Sequence, residues 1–149
     1  MKHLPTNRVV LLAIICVSLL VFGCSGKVEL KPADIEMVCR NVGYNAAYWP
    51  LKNNPDYIAK VEPPLDIAIS AAENRNVDIA KLVGQIISFA GEFLDNPEFK
   101  DYAGPAKEAL RSFEGIVKID ITVPENRENV ILWTKAFLAG AKAAVGDLK

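Results

Sequence analysis

The sequence predicts a mostly α-helical protein: a stack of about five antiparallel helices, arranged as two imperfect helical-hairpin repeats, with one short extended segment at about 116–123. Three observations lead there. Apolar residues recur every three or four positions over most of the chain beyond residue 34, the period of a helix with one buried face. Asn54-Pro55-Asp56 and Asn96-Pro97-Glu98 have the form of helix starts, an Asn cap followed by Pro at the first helical position and then an acid. A single stretch, 116–123, departs from that period and alternates.

The elements follow in order. From Asp34 the apolar positions Ile35, Val38, Val42, Ala46 and Trp49 mark a first helix, which Pro50 should end. Asn54-Pro55 opens a second, carrying Tyr57, Ile58 and Val61, and Pro63-Pro64 should break it before a helix at 65–73. Asn76 is the expected cap of a third helix, 77–94, whose Ile79, Leu82, Val83, Ile86, Ala90, Phe93 and Leu94 form a continuous apolar stripe. Asn96-Pro97 starts a fourth, with Phe99, Tyr102, Ala106, Leu110 and Phe113 inward, a bend at Gly104-Pro105 and a stop at Gly115. In 116–123, Val117, Ile119, Ile121 and Val123 alternate with Lys118, Asp120 and Thr122, and β-branched residues at period two predict a strand. A last helix at about 125–145 buries Val130, Trp133, Thr134, Phe137, Leu138 and Ala141. The repeat rests on recurring phrases: Val42-Gly43 and Val83-Gly84 each precede an Asn-Pro start, and Glu73-Asn74-Arg75 and Glu125-Asn126-Arg127 each precede a long helix.

Ahead of all this lies 9–24, VVLLAIICVSLLVFGC, which follows Lys2 and Arg8 and is apolar apart from Ser18 until Gly23-Cys24. A basic start, a short apolar core and small residues at its end are the layout of a secretory signal. The core, about 15 residues, is shorter than the ~20 that a spanning helix requires. Val21-Phe22-Gly23-Cys24 resembles the lipobox of bacterial lipoproteins, where an aliphatic, a variable and a small residue precede the cysteine. The resemblance implies that 1–23 is a removed signal peptide and that Cys24 becomes the lipidated first residue. On that reading 24–33 is a tether and 34–149 a single helical domain. With Ser25 next, the family's sorting habit implies the outer membrane, facing the periplasm, in a cell with two membranes, and otherwise the outer face of the plasma membrane. Cleavage after Gly26 and retention as an uncleaved anchor are the other readings of these residues.

Removing 1–23 from the 149 residues leaves 126, enough for one domain with its own core. Lys2 and Arg8 go with the signal, so 15 basic residues remain against 18 acidic ones, a formal charge of −3. That balance argues against a nucleic-acid partner, which calls for a basic stripe. His3, the only histidine, also leaves, and with it the commonest general base and most zinc sites. Cys39 is then without a partner for a disulfide and is expected to be buried and inert.

No catalytic residue, metal site or cofactor is therefore expected, and the chain reads as a binding or structural module rather than an enzyme. The acids Glu92, Asp95, Glu98 and Asp101 fall at intervals of three around the Asn96-Pro97 turn and could gather a calcium ion, but without EF-hand spacing the favoured reading places Glu98 and Asp101 in the first turn of a helix, where the dipole favours acids. Two surfaces are candidates. The segment carrying Val117, Ile119, Ile121 and Val123 could capture a protein partner by strand addition. Alternatively, Tyr44, Tyr48, Trp49 and Tyr57 could line an apolar pocket between helices for a small ligand. The expected partners are the membrane, through the lipid on Cys24, and a protein of unknown identity. Ala136, Gly140 and Ala144 form a small stripe that predicts close packing of the last helix on a neighbour.

Overall fold

The computed structural model describes residues 31–149 except Arg75, Tyr102 and Thr122, with the side chains of Ile119 and Asp120 also set aside. Cys24 lies outside the described residues. Five α-helices are present among them: α1 (Pro32–Asn53), α2 (Ile58–Glu73), α3 (Ile79–Leu94), α4 (Ala103–Asp120) and α5 (Arg127–Asp147). Short 3-10 turns precede α2, α4 and α5 at Pro55–Tyr57, Pro97–Phe99 and Pro124–Asn126. Each begins on a proline, whose fixed φ and missing N–H suit a first helical position.

Local chemistry explains the boundaries. Asp78, not Asn76, caps α3: its side chain accepts from the Lys81 N–H at 3.1 Å. Asn74 accepts instead from the Asn76 N–H, tightening the turn between α2 and α3. α1 does not stop at Pro50 but runs to Asn53. Pro50 is fully buried, and the carbonyls at this end are taken up by side chains: Asn53 donates to the Trp49 carbonyl at 2.8 Å and Asn54 to that of Pro50 at 3.2 Å. Pro63 and Pro64 likewise lie inside α2. The carbonyls they release, on Ala59 and Lys60, belong to a turn that is exposed to solvent. Gly104 and Pro105 fall in the first turn of α4, where proline removes no helical bond, so no bend results.

The expected strand is absent, because α4 continues through Gly115 to Asp120. The Ile121 N–H donates to the Val117 carbonyl at 2.9 Å, a helical i to i−4 bond. Val117 is buried with Ala106, Leu110 and Phe113, which precede it at helical spacing. A lone strand would have left its donors without partners, whereas the helix satisfies them within itself. Ile121 and Val123 are half-buried in the turn that follows.

Packing centres on α1 against α5, the most extensive contact in the fold, followed by α1 against α4 and α2 against α5. The two central helices approach backbone to backbone. A Cβ on Gly43 would collide with the Phe137 carbonyl, and one on Gly140 with the carbonyl of Arg40. No described glycine has a positive φ, so these two are needed for room rather than for backbone conformation. Ala136 and Ala144 are buried on the same helix as Gly140, the close packing that the small stripe predicts. Around this crossing lie the fully buried Leu51, Phe99, Phe113, Val130 and Val145, with Phe113 stacked on Phe137 at 4.2 Å between ring centres.

Gly43→Ala and Gly140→Ala should each lower stability by about 3 kcal/mol, since backbone must move to admit the methyl group. Gly84→Ala in α3, where a Cβ meets nothing within 4 Å, should raise it by up to ~1 kcal/mol. Urea unfolding midpoints of the three variants test this ranking.

Candidate functional site

A groove enclosing about 320 Å³ runs between α2 and α3. Its floor is the α1–α5 crossing, through Gly43, Ala46, Ala47 and Leu51 on one helix and Phe137, Leu138 and Ala141 on the other. Leu65, Ala68 and Ala71 form the α2 wall, and Ile86, Phe89, Ala90 and Phe93 the α3 wall. The opening has a local cause: where the helices face each other, the sequence supplies Ala68, Ala71 and Ala90, too small to close the gap. Contact between α2 and α3 is correspondingly sparse. Of the described lining residues only Gln85 has a polar side chain, and none is titratable. Ile67 (71% exposed) and Phe89 (41% exposed) stand in solvent at the mouth, although both are large and apolar.

The α2 wall is fixed from outside. Lys142 of α5 donates to Glu62 at 2.8 Å and to Asp66 at 2.7 Å, and Lys149 reaches Glu62 at 2.6 Å. Hydrogen bonds from Lys142 and Lys149 lower the Glu62 pKa from the ordinary 4.5 to about 2, and those to Asp66 and Glu62 raise that of Lys142. At the start of the same wall, the Tyr57 hydroxyl donates to Glu98 at 2.8 Å and accepts from Asn96 at 2.9 Å. The Tyr57 ring packs against Phe99 at 4.7 Å and Phe93 at 5.9 Å. The two Asn-Pro turns are thereby joined, and the bond to Glu98 followed by burial raises the Tyr57 pKa.

Among the aromatic residues expected to line a pocket, Tyr44, Tyr48 and Trp49 do not reach the groove. They form a ladder along α1: Tyr44 stacks on Tyr48 at 5.2 Å, Trp49 meets Tyr48 edge-on, and the Lys52 ammonium sits over both. The Tyr44 hydroxyl donates to Asp147 at 2.9 Å, and burial with that bond pushes its pKa up to about 12. Tyr57 touches the groove only through Phe93. Of the proposed partner-binding residues, Val117 is core, Ile121 and Val123 are half-buried, and Ile119 falls in α4 with its side chain outside the described residues. Strand addition there has lost its strand. Cys39 is fully buried, and desolvation pushes its thiol to about 12. The four acids around Asn96 do not converge on a point; Asp95 pairs with Lys107 and Glu98 with Tyr57.

Sequence reasoning missed the groove-lining Phe89 and Ile67. The alanines at 68, 71 and 90 that open the groove carry no sequence signal of their own, because a closely packed helix face uses the same residue. Comparison of the chain with protein-family models, curated proteins and solved structures finds no match in any of them.

Glu62 contributes stability above its unfolded pKa of about 4.5 that is lost as the pH falls toward about 2, because its folded pKa is depressed. The urea midpoint of the wild type should exceed that of Glu62→Gln by a constant margin above about pH 5.5 and by less than half that margin at about pH 3. A margin independent of pH would contradict the ion network.

Proposed function

We propose that this chain is a lipid-anchored protein of the bacterial envelope that works as a binding module, with the groove between α2 and α3 as its binding surface. The observation that carries the binding reading is the groove itself: about 320 Å³ of space walled by hydrocarbon, with Ile67 and Phe89 held in solvent at its mouth. That volume lies at the small end of the ~300–1,000 Å³ typical of ligand sites. Binding rather than catalysis is supported by the lining, which offers no acid, base or nucleophile, and by the absence of histidine after His3. Of the two binding modes legible in the sequence, an inter-helix pocket is favoured over strand addition. The anchoring reading is supported by Val21-Phe22-Gly23-Cys24 at the end of the apolar stretch.

Each half has its own test. Cys24→Ala should abolish incorporation of labelled palmitate and release the protein from the membrane fraction; continued labelling would refute the lipid site. For the groove, the full chain should bind the apolar dye Nile red, and the double variant Ala68→Trp, Ala90→Trp, which fills the space between the walls, should weaken that binding roughly tenfold or more. Equal binding by the filled variant would remove the groove as the binding surface.

A further inference from the structure

We infer that the groove takes the hydrocarbon tail of a single-chain lipid and leaves its polar head in solvent, an inference that rests on the groove being the binding surface. Polarity narrows the ligand first. With Gln85 as the only polar side chain in the lining, a sugar, nucleoside or extended peptide would leave its own donors and acceptors unpaired. Among the described residues the one buried side-chain polar atom without a partner is Trp133 Nε1, and Trp133 is not part of the groove wall. Apart from Gln85, no described side chain in the lining offers a hydrogen bond to a ligand.

Shape narrows it further. The α2 wall extends from Val61 to Ala71, a rise of about 15 Å at 1.5 Å per residue. Spread over that length, 320 Å³ gives a cross-section on the order of 20 Å². A helix about 10–12 Å across is wider than this and would lie mostly outside the groove. One unbranched hydrocarbon chain has the right girth. At about 30 Å³ per heavy atom, the share of a water molecule in its liquid, the space holds on the order of ten carbons.

Position supplies such a ligand. Cys24 precedes Pro32 by eight residues, which span at most about 26–29 Å when extended. On the lipid-anchor reading, α1, which builds the groove floor, starts within about one bilayer thickness of the lipid surface. Ile67 and Phe89 then form an apolar lip over which a tail enters.

The test uses the full chain extracted in cholate, a steroid detergent without an alkyl chain. Bound cis-parinaric acid, a fluorescent polyene fatty acid, is displaced by unbranched alkanoates of about eight to about sixteen carbons, a series that reads the gain per methylene. Displacement should strengthen up to about fourfold per added methylene, then level off once about ten to twelve carbons are housed. Exchanging the carboxylate for a primary alcohol should matter less than one such step. The Ala68→Trp, Ala90→Trp variant, checked for native circular dichroism, should show no chain-length dependence. Ile67→Ser, at an exposed lip position that leaves the core intact, should weaken every alkanoate several-fold. A flat response to chain length overturns the inference, as does displacement by an amphipathic helical peptide but not by alkanoates. If Nile red still binds in the groove while alkanoates do not, the binding reading stands and the tail is wrong; if neither binds, both fall.

Discussion

The fold depends on the place where α1 and α5 touch backbone to backbone. Gly43 faces the Phe137 carbonyl and Gly140 the Arg40 carbonyl, and neither position has room for even a methyl group. Each glycine gives up about 1 kcal/mol of helix propensity relative to alanine, which the close contact of two long helices must offset. Phe137 shows how much converges here. Its carbonyl meets Gly43, its ring stacks on Phe113 of α4, and its side of the helix forms part of the groove floor. The other helices take their places on this pair, α4 against α1 and α2 against α5.

The same small residues that let the central helices approach also leave space beside them. Ala46 and Ala47 continue the slim face of α1 beyond Gly43, and Ala141 adjoins Gly140 on α5; all three lie on the groove floor. Above that floor α2 and α3 lean on little of each other, so apolar contact does not set the width of the gap. The α2 wall is tied instead to the end of α5 by two lysines and two carboxylates. Exposed pairs of this kind contribute little energy singly. Their value here is geometric, since Lys142 bridges Glu62 and Asp66 one turn apart and so fixes the rotation of α2.

What the sequence made legible was whatever side-chain periodicity controls. The stripe of α3 was readable because Leu82, Val83 and Ile86 are large, evenly spaced and buried. The prolines misled because their cost depends on surroundings. Pro50 lies near the end of its helix, where the Asn53 and Asn54 amides take up last-turn carbonyls, and Ala59 and Lys60, whose carbonyls lose their donors to Pro63-Pro64, are exposed, so both helices persist. The alternation in 116–123 misled for another reason. Val117 fits a period of two and also the helical series Ala106, Leu110, Phe113, and burial favoured the series with three partners already in place. The groove was illegible because it is made of missing volume. Alanine at 68, 71 and 90 is indistinguishable in sequence from alanine packed tightly in a core.

That missing volume is what supports the proposed binding reading. Larger side chains at Ala68, Ala71 or Ala90 would occupy part of it, and the same walls already carry Leu65, Ile86 and Phe93. Larger side chains there would add apolar contact at about 25 cal/mol per Å² removed from water. The chain instead keeps a gap open and two large apolar side chains in solvent. On the proposed reading a ligand would supply what the walls lack, which is hydrocarbon rather than hydrogen bonds or charge.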